Sequence, residues 1–266
     1  MISKSSYKQE KYSIEDFLEI MKILREPGGC PWDIEQTHKS IRRDLLEEAY
    51  ETADAIDTDD SVALCEELGD LLLQVVFHSD IARRNGEFTF DEVVDGIAKK
   101  LILRHPHVFG SVKADTADKV LENWDAIKRV EKHQESYTAT LESVPRAFPA
   151  LLRAAKVQKR AAKAGFDWDK MSGAFDKLQE ETAELIQAVE SGVQSNINEE
   201  FGDLLFSIVN VSRFIKTDAE DSLAKATDKF ISRFKLVEDE CTKQGKDMKE
   251  MTLCQLDEIW NKVKHQ

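Results

Sequence analysis

The chain has 266 residues, with 37 Lys or Arg against 51 Asp or Glu and a formal net charge of −14. That length suits one large domain or two ordinary ones with a real core, and the charge excludes nucleic acid and anionic membranes as general partners. A charged fraction of 33% with only 11 Gly and 5 Pro favours helices over a strand-and-turn architecture.

The first residues, MISKSSYKQEKYS, are polar and hold no hydrophobic export segment. The apolar run LLLQVVF from Leu71 is far too short to span a bilayer. Cys30, Cys65, Cys241 and Cys254 form no C-x-x-C pair and read as reduced thiols, so a cytoplasmic protein is expected. From Leu45 to Ile56 the period is helical: Leu45, Leu46, Ala49, Tyr50, Ala53 and Ile56 make an apolar stripe, with Glu47, Glu48 and Glu51 on the opposite side. DTDDS, residues 57 to 61, reads as a turn with Ser61 capping the next helix, Val62 to about Arg84. After Asp70 that helix is apolar almost all round, so it needs cover from the other half of the chain or from a second chain. His105-Pro-His107 offers two nitrogen ligands, but Pro106 more simply ends a helix. The polar run HQESYTATLESVPRAFPA, broken by Pro145 and Pro149, marks a boundary. The expected division is a first domain over 1–136, a linker over 137–150 and a second domain over 151–266.

The second domain repeats the first. Glu47, Glu48, Glu51, Glu67, Gly69 and Asp70 return 133 positions later as Glu180, Glu181, Glu184, Glu200, Gly202 and Asp203. Further on, Lys100 and Arg104 match Lys229 and Arg233 as K-x-x-x-R, and Trp124 and Lys128 match Trp260 and Lys264 as W-x-x-x-K. Upstream, GGCPWD loosely parallels KAGFDWD.

In an antiparallel helix hairpin, residues equally far from the turn stand level. Glu48 and Asp70 flank position 59 symmetrically, as do Glu51 and Glu67; Glu181 with Asp203 and Glu184 with Glu200 do the same about Gly192. Each half therefore sets four carboxylates at matching heights. A solvated acidic face is the ordinary reading of such runs. Against it, the acids have no basic partner four residues on. Clustered like charges also destabilise a fold unless a cation relieves them. Each half further carries a helical Gly, at a cost of about 1 kcal/mol. Metal binding is the expectation, and all-oxygen ligands select Mg2+ or Mn2+. A di-iron bundle would need paired Glu-x-x-His motifs, whereas Glu35-x-x-His38 occurs once and has no counterpart. A carboxylate-held Mg2+ usually serves a phosphate, for which the paired cations make a clamp and the Trp a stacking surface. No Walker loop or G-x-G-x-x-G is present.

E-E-x-x-E followed by E-x-x-D, with GGCPWD, GDLLLQVVFH, GDLLFSIVN, RHPHVFG, KFISRF and EIWNKVK, resembles the MazG family of nucleoside triphosphate pyrophosphohydrolases over nearly the whole chain. The resemblance implies an all-α fold of the kind shared with dimeric dUTPases, here as two tandem copies of a four-helix-bundle-like MazG domain. It also implies a homodimer, Mg2+ dependence, and cleavage of an NTP to monophosphate and pyrophosphate with broad base tolerance. It makes Glu181, Glu184, Glu200 and Asp203 the metal ligands. Glu180 would stand beside them for a second ion or the attacking water, so that Glu180 or Glu181 acts on that water. Lys177, Lys229 and Arg233 would grip the triphosphate, and Trp260 and Lys264 would contact the nucleotide. The second copy is the main catalytic one by resemblance. The first copy nonetheless keeps the metal set Glu48, Glu51, Glu67 and Asp70 and the nucleotide set Lys100, Arg104, Trp124 and Lys128. Rival expectations are a narrower phosphohydrolase on the same fold, or a helical regulator that binds nucleotide without cleaving it.

Overall fold

A computed structural model describes residues 10–117, 119–120, 123–124, 127 and 136–264. Lys128 lies outside the described residues. The described residues contain no strand, in agreement with the all-α expectation. The chain divides into two compact units, Met1–Glu131 and Lys132–Gln266.

In the first unit, α1 (Ile14–Leu24) begins at Ser13, whose hydroxyl accepts from Asp16 N–H while Asp16 reaches back to the Ser13 N–H. The short α2 (Pro31–Glu35) starts with Pro at its first position, where the missing N–H costs nothing. Next come α3 (Arg42–Asp57) and α4 (Ser61–Asn85), an antiparallel hairpin that is the main packing in this unit. Gly86, at φ 73°, ends α4 in the left-handed conformation. Thr89 then caps α5 (Phe90–Arg104), and Pro106 opens the short α6 (Pro106–Phe109). Helices α1 and α5 both pack on α4. The core gathers Met21, Ile41, Val76, Phe77 and Ile81, with Phe17, Leu18, Leu73 and Phe90 against them.

One expectation is corrected in this unit. The cap of α4 is Asp60, not Ser61: the Asp60 carboxylate accepts from Val62 and Ala63 N–H at 2.9 and 3.1 Å, and Ser61 is already helical. The apolar stripe on α3 lies largely on the surface. Leu46, Tyr50 and Ile56 are exposed, while Thr52 and Ala55 are the buried residues. Periodicity tells which residues share a face, but not which face meets the rest of the molecule.

The second unit repeats the plan. The helix α7 (Tyr137–Glu142) falls in the stretch expected to be a linker, and it docks on α8 (Ala150–Lys163). Arg160 fixes it by donating to Ser143 Oγ at 2.7 Å and to the Thr140 carbonyl. The hairpin of α9 (Met171–Ser191) and α10 (Gln194–Phe214) corresponds to α3 and α4. Then follow α11 (Ala219–Lys243) and α12 (Leu253–Val263), which pack together around Val237, Cys241, Ile259 and Val263. Helix α8 lies against both α10 and α11.

The hairpin turns make a direct comparison. Gly192 has φ 69°, and Asp59, which occupies the equivalent position 133 residues earlier, has φ 54°. An L residue with a Cβ is strained there and Gly is not. Asp59→Gly is therefore expected to stabilise the first unit by about 1 kcal/mol, read as a rise in its thermal midpoint; an unchanged or lower midpoint would refute this.

Candidate functional site

Because the hairpin folds back at positions 59 and 192, its two helices set their acids against one another. In the first unit, carboxylate oxygens of Glu48, Glu67 and Asp70 lie within 4.8 Å of one another; in the second, those of Glu181, Glu184 and Glu200 do. Glu51 and Asp203, the fourth acid of each set, lie outside these tight triads but act on them electrostatically. Burial, then the charges of Asp70, Glu51 and Glu67, pushes the Glu48 carboxyl above its ordinary range. Glu67 is pushed up by burial and then by Glu51 and Asp70. Glu200 is pushed up by burial and then by Glu184, Glu181 and Asp203. In each set the like charges push a neighbouring carboxyl toward its protonated form.

These shifts set a pH dependence. A carboxyl whose folded pKa is raised holds a proton that the unfolded chain would release, so its stabilising effect is present at low pH and lost as pH rises through the folded pKa. In the presence of a chelator, these acids are thus expected to raise the thermal midpoint as pH falls from neutral through the raised carboxyl range, against the opposite effect of His78, whose pKa burial lowers. A midpoint that only falls over that window, followed by circular dichroism, would contradict it.

The two sets differ in one respect. The acids have no basic partner four residues on, but Lys177, one turn before them, donates to Glu180 at 2.9 Å and pairs with Glu181 at 2.5 Å. Hydrogen bonds donated to these two carboxylates hold the Lys177 ammonium above its ordinary range. The partner sits one turn before the acids rather than after them. Glu181 itself is only 5% exposed, whereas Glu180 is on the surface.

Beside this set opens a cleft of about 730 Å³, lined among others by Gln158, Phe166, Trp168, Lys177, Glu181, Asp203, Asn210 and Arg213. Its outer wall is braced by a bidentate ion pair in which Arg213 donates to Asp167 at 2.7 and 2.5 Å. None of Gln158, Phe166, Trp168, Asn210 and Arg213 was singled out from sequence. The stretch KAGFDWD was noted only as a parallel to GGCPWD, and Gln158 and Asn210 carry no local motif.

The remaining candidates lie elsewhere in their units. Lys229 and Arg233 are on α11 and Trp260 is on α12, with Lys264 at the C-terminal end of α12; none lines the cleft. Trp260 packs against Phe230 at 5.2 Å between centroids and against the core of α11 and α12. In the first unit, Lys100 and Arg104 are on α5, and the Arg104 guanidinium lies 5.8 Å from the Trp124 ring centroid. His38 meets His78 with the two Nδ1 atoms 2.8 Å apart. His105 and His107 lie with their rings 5.6 Å apart. Among the described residues, no cluster of three potential ligands includes a histidine.

Residues 36–109 and 172–237 match the model of the MazG nucleotide pyrophosphohydrolase domain, one segment over each acid set. The chain is 45% identical over 250 residues to the nucleoside triphosphate pyrophosphohydrolase/pyrophosphatase MazG of Thermotoga maritima, covering 94% of this chain and 95% of that one. It is 43% identical over 256 residues to the nucleoside triphosphate pyrophosphohydrolase of Escherichia coli K12, covering 95% and 97%. It is also 44% identical over 261 residues to an uncharacterised Bacillus subtilis protein, YabN, of which it spans 53%. A duplicated acidic hairpin and two domain matches lead to one conclusion: the chain belongs to the MazG nucleotide pyrophosphohydrolase family.

Proposed function

We propose that this chain cleaves nucleoside triphosphates, ribo and deoxy, to monophosphate and pyrophosphate at the second copy, with Mg2+ or Mn2+ held by Glu181, Glu184, Glu200 and Asp203. The observation that carries the reading is the convergence of Glu181, Glu184 and Glu200 within 4.8 Å, with the Glu200 carboxyl pushed toward its protonated form. Such a set fits a hard divalent cation: every donor is an oxygen, and the mutual repulsion is what a cation would relieve. When bound, the cation neutralises charge that builds on the phosphoryl oxygens and on the departing pyrophosphate.

The chain's own groups do the rest. Glu180 stands one residue before the set and is exposed, which suits it to orient and deprotonate the water that attacks the α-phosphorus. Lys177 bridges Glu180 and Glu181 and lines the cleft, so its ammonium can turn from carboxylate to phosphate without leaving the site. The roles of Lys229, Arg233, Trp260 and Lys264 at the triphosphate and nucleotide rest on the family resemblance.

A homodimer is favoured by the apolar surface that remains uncovered: Ile186 and Val189 on α9, Phe201 and Ile208 on α10, and Phe230 and Ile231 on α11 are all exposed. A cytoplasmic setting suits the free thiols of Cys30, Cys65, Cys241 and Cys254. Among the described residues no helix is long and apolar enough to cross a membrane.

The test is product analysis with a panel of NTPs and dNTPs in Mg2+ and in Mn2+. Monophosphate and pyrophosphate in equal amounts are expected. Release of inorganic phosphate would indicate another phosphohydrolase on this fold, and absence of any product at every ion concentration would indicate a regulator.

A further inference from the structure

We propose that His38 and His78 form a one-proton clasp that ties the α2–α3 loop of the first unit to α4 and opens when a second proton arrives. The clasp lies outside both acid sets and does not depend on which bond the chain hydrolyses. Three observations carry it.

The first is the geometry of the two rings. Their Nδ1 atoms are 2.8 Å apart, their centroids 5.1 Å apart, and their planes lie within 8° of parallel. A ring N–H and a ring lone pair both lie in the ring plane, so a hydrogen bond this short joins the rings edge to edge. Such a bond needs one Nδ1–H and one bare Nδ1. His38 Nε2 lies 3.6 Å from Glu87 Oε2, and a carboxylate beside that nitrogen favours a proton on it. A neutral His38 with its proton on Nε2 accepts at Nδ1, which makes His78 Nδ1 the donor. His78 Nε2 is then bare, and that atom is buried with no hydrogen-bond partner. The opposite tautomers would strand an N–H at this buried position and turn a lone pair on Glu87.

The second is the proton count these bonds allow. When a first proton is taken up at His78 Nε2, the proton between the two Nδ1 atoms shifts to His38. His38 becomes an imidazolium whose Nε2–H faces Glu87 and whose Nδ1–H donates to a neutral His78. The bond survives, now charge-assisted. A second proton puts an N–H on each Nδ1. Two donors and two positive charges then meet across 2.8 Å, and the bond is lost. Burial, then the charge of His38, holds the His78 imidazole below its ordinary range, so the second proton needs more acid than an exposed histidine does.

Charged groups on the elements around α4 are engaged elsewhere. On α1, Lys22 pairs with Glu19, and at its end Arg25 pairs with Asp80. On α4, Arg83 and Arg84 also hold Asp80. On α3, Glu48 and Glu51 stand with Glu67 and Asp70 in the acid set. On α5, Glu92 accepts from Thr89 and Asp95 pairs with Lys99. Lys39, Arg42 and Arg43 are exposed. Glu87 and the two rings therefore set the titration of the clasp.

The third observation is what the clasp holds. The loop is otherwise tied to itself and to Arg25: Ser40 Oγ donates to Gln36 Oε1 at 2.7 Å, and Arg25 donates to the Gln36 carbonyl at 3.4 Å. Among the described residues, His38 is the side chain of residues 36–40 that hydrogen-bonds α4. Ile41, 1% exposed, follows it, and α3 with its acids begins at Arg42. The second copy lacks the device. Val211 stands 133 residues after His78, and residues 170–176, which follow KAGFDWD as the loop follows GGCPWD, contain no histidine.

Ring-nitrogen NMR of the full chain through a pH titration tests the clasp, together with hydrogen exchange at the hydrogen-bonded amides of Thr37, Ser40 and Ile41. At the alkaline end, His38 should carry its proton on Nε2 and His78 on Nδ1. As His38 gains its charge, the His78 proton should be found on Nε2. Once both rings are charged, exchange at the three amides should speed up at least about tenfold beyond its intrinsic pH dependence. The Gly173 amide of the second unit, bonded to the Lys170 carbonyl, should show no such step. His38→Phe, at a partly exposed ring, removes the clasp and should abolish the step. Matching tautomers in the two rings at the outset would overturn the proposal, as would protection that survives the second charge. Unfolding of the first unit before that charge arrives, or a His38→Phe chain that keeps the wild-type step, would overturn it equally. Should His38→Phe fail to fold, the wild-type titration decides alone.

Discussion

Glu181→Ala is expected to lower pyrophosphate release by at least about 10²–10³-fold and to leave the helical fold in place. The carboxylate is the most buried of its set, it meets Glu184 and Glu200 within 4.8 Å, and it lines the cleft. Its removal takes one oxygen donor from the proposed cation and one partner from Lys177. The cost to stability is small for two reasons. Lys177 is partly exposed and keeps Glu180, so no ammonium is stranded in an apolar interior. The neighbouring Glu200 also loses one of the charges that raise its pKa. A circular dichroism melt beside a pyrophosphate assay separates the two effects, and a Mn2+ binding isotherm shows whether the cation left with the carboxylate. Pyrophosphate at the wild-type rate from a folded Glu181→Ala chain would end the case for this set. Glu48→Ala, made in parallel, reads how much turnover the first copy carries.

Why the acids could be placed from sequence, and the cleft could not, follows from how each is built. The tetrads depend on two local quantities, the helical repeat and the length of a turn, and both are written in the chain around Asp59 and Gly192. Level acids on adjoining helices follow once the hairpin closes. The cleft needs Gln158 on α8 to reach the Phe206 carbonyl on α10, 48 residues away, and Arg213 to reach Asp167, 46 residues away. No periodicity encodes such pairs. Which side of α3 is covered is unreadable for a related reason: Leu46, Tyr50 and Ile56 share a face, but α4 takes the side bearing Thr52, whose hydroxyl hydrogen-bonds the Glu48 carbonyl at 2.7 Å. The apolar character read from the stripe is real and remains on the surface. Lys177 is named by the family resemblance, but its pairing with Glu180 and Glu181 is not, because it stands before those acids and not four residues after them.

The second large effect is on stability, at Asp80→Ala in the first unit, and it follows from a position that both copies use. Asp80 on α4 and Arg213 on α10 are equivalents in the repeat, and each ties its helix to a residue upstream of the acidic hairpin, with the charges reversed: Asp80 to Arg25, Arg213 to Asp167. In the first unit the pair is deeply buried. Asp80 pairs with Arg25 at 2.9 Å, with Arg83 at 2.7 Å and with Arg84 at 2.6 Å. Burial pushes its carboxyl up, but the hydrogen bonds from Arg84 and Arg83 outweigh that and hold it below the ordinary range. Its contribution is therefore present at neutral pH and lost only as pH falls through that lowered value. Arg25 also donates to the Asp33 carbonyl at 2.7 Å and covers Phe77, so the cluster locks α1, α2 and α4 together. Alanine at position 80 would leave the Arg25 guanidinium buried without its carboxylate, at a cost of about 3–5 kcal/mol. For a unit of this size that is a fall of roughly 10–20 °C in the thermal midpoint. Because the second unit has its own core and its own ion pair, calorimetry should show the first unit's transition moving down while the other stays. Asp80→Asn, which keeps the shape and two acceptor lone pairs, should lose less. A midpoint within about 2 °C of wild type in Asp80→Ala would mean that the three arginines are solvated and that the lock is elsewhere.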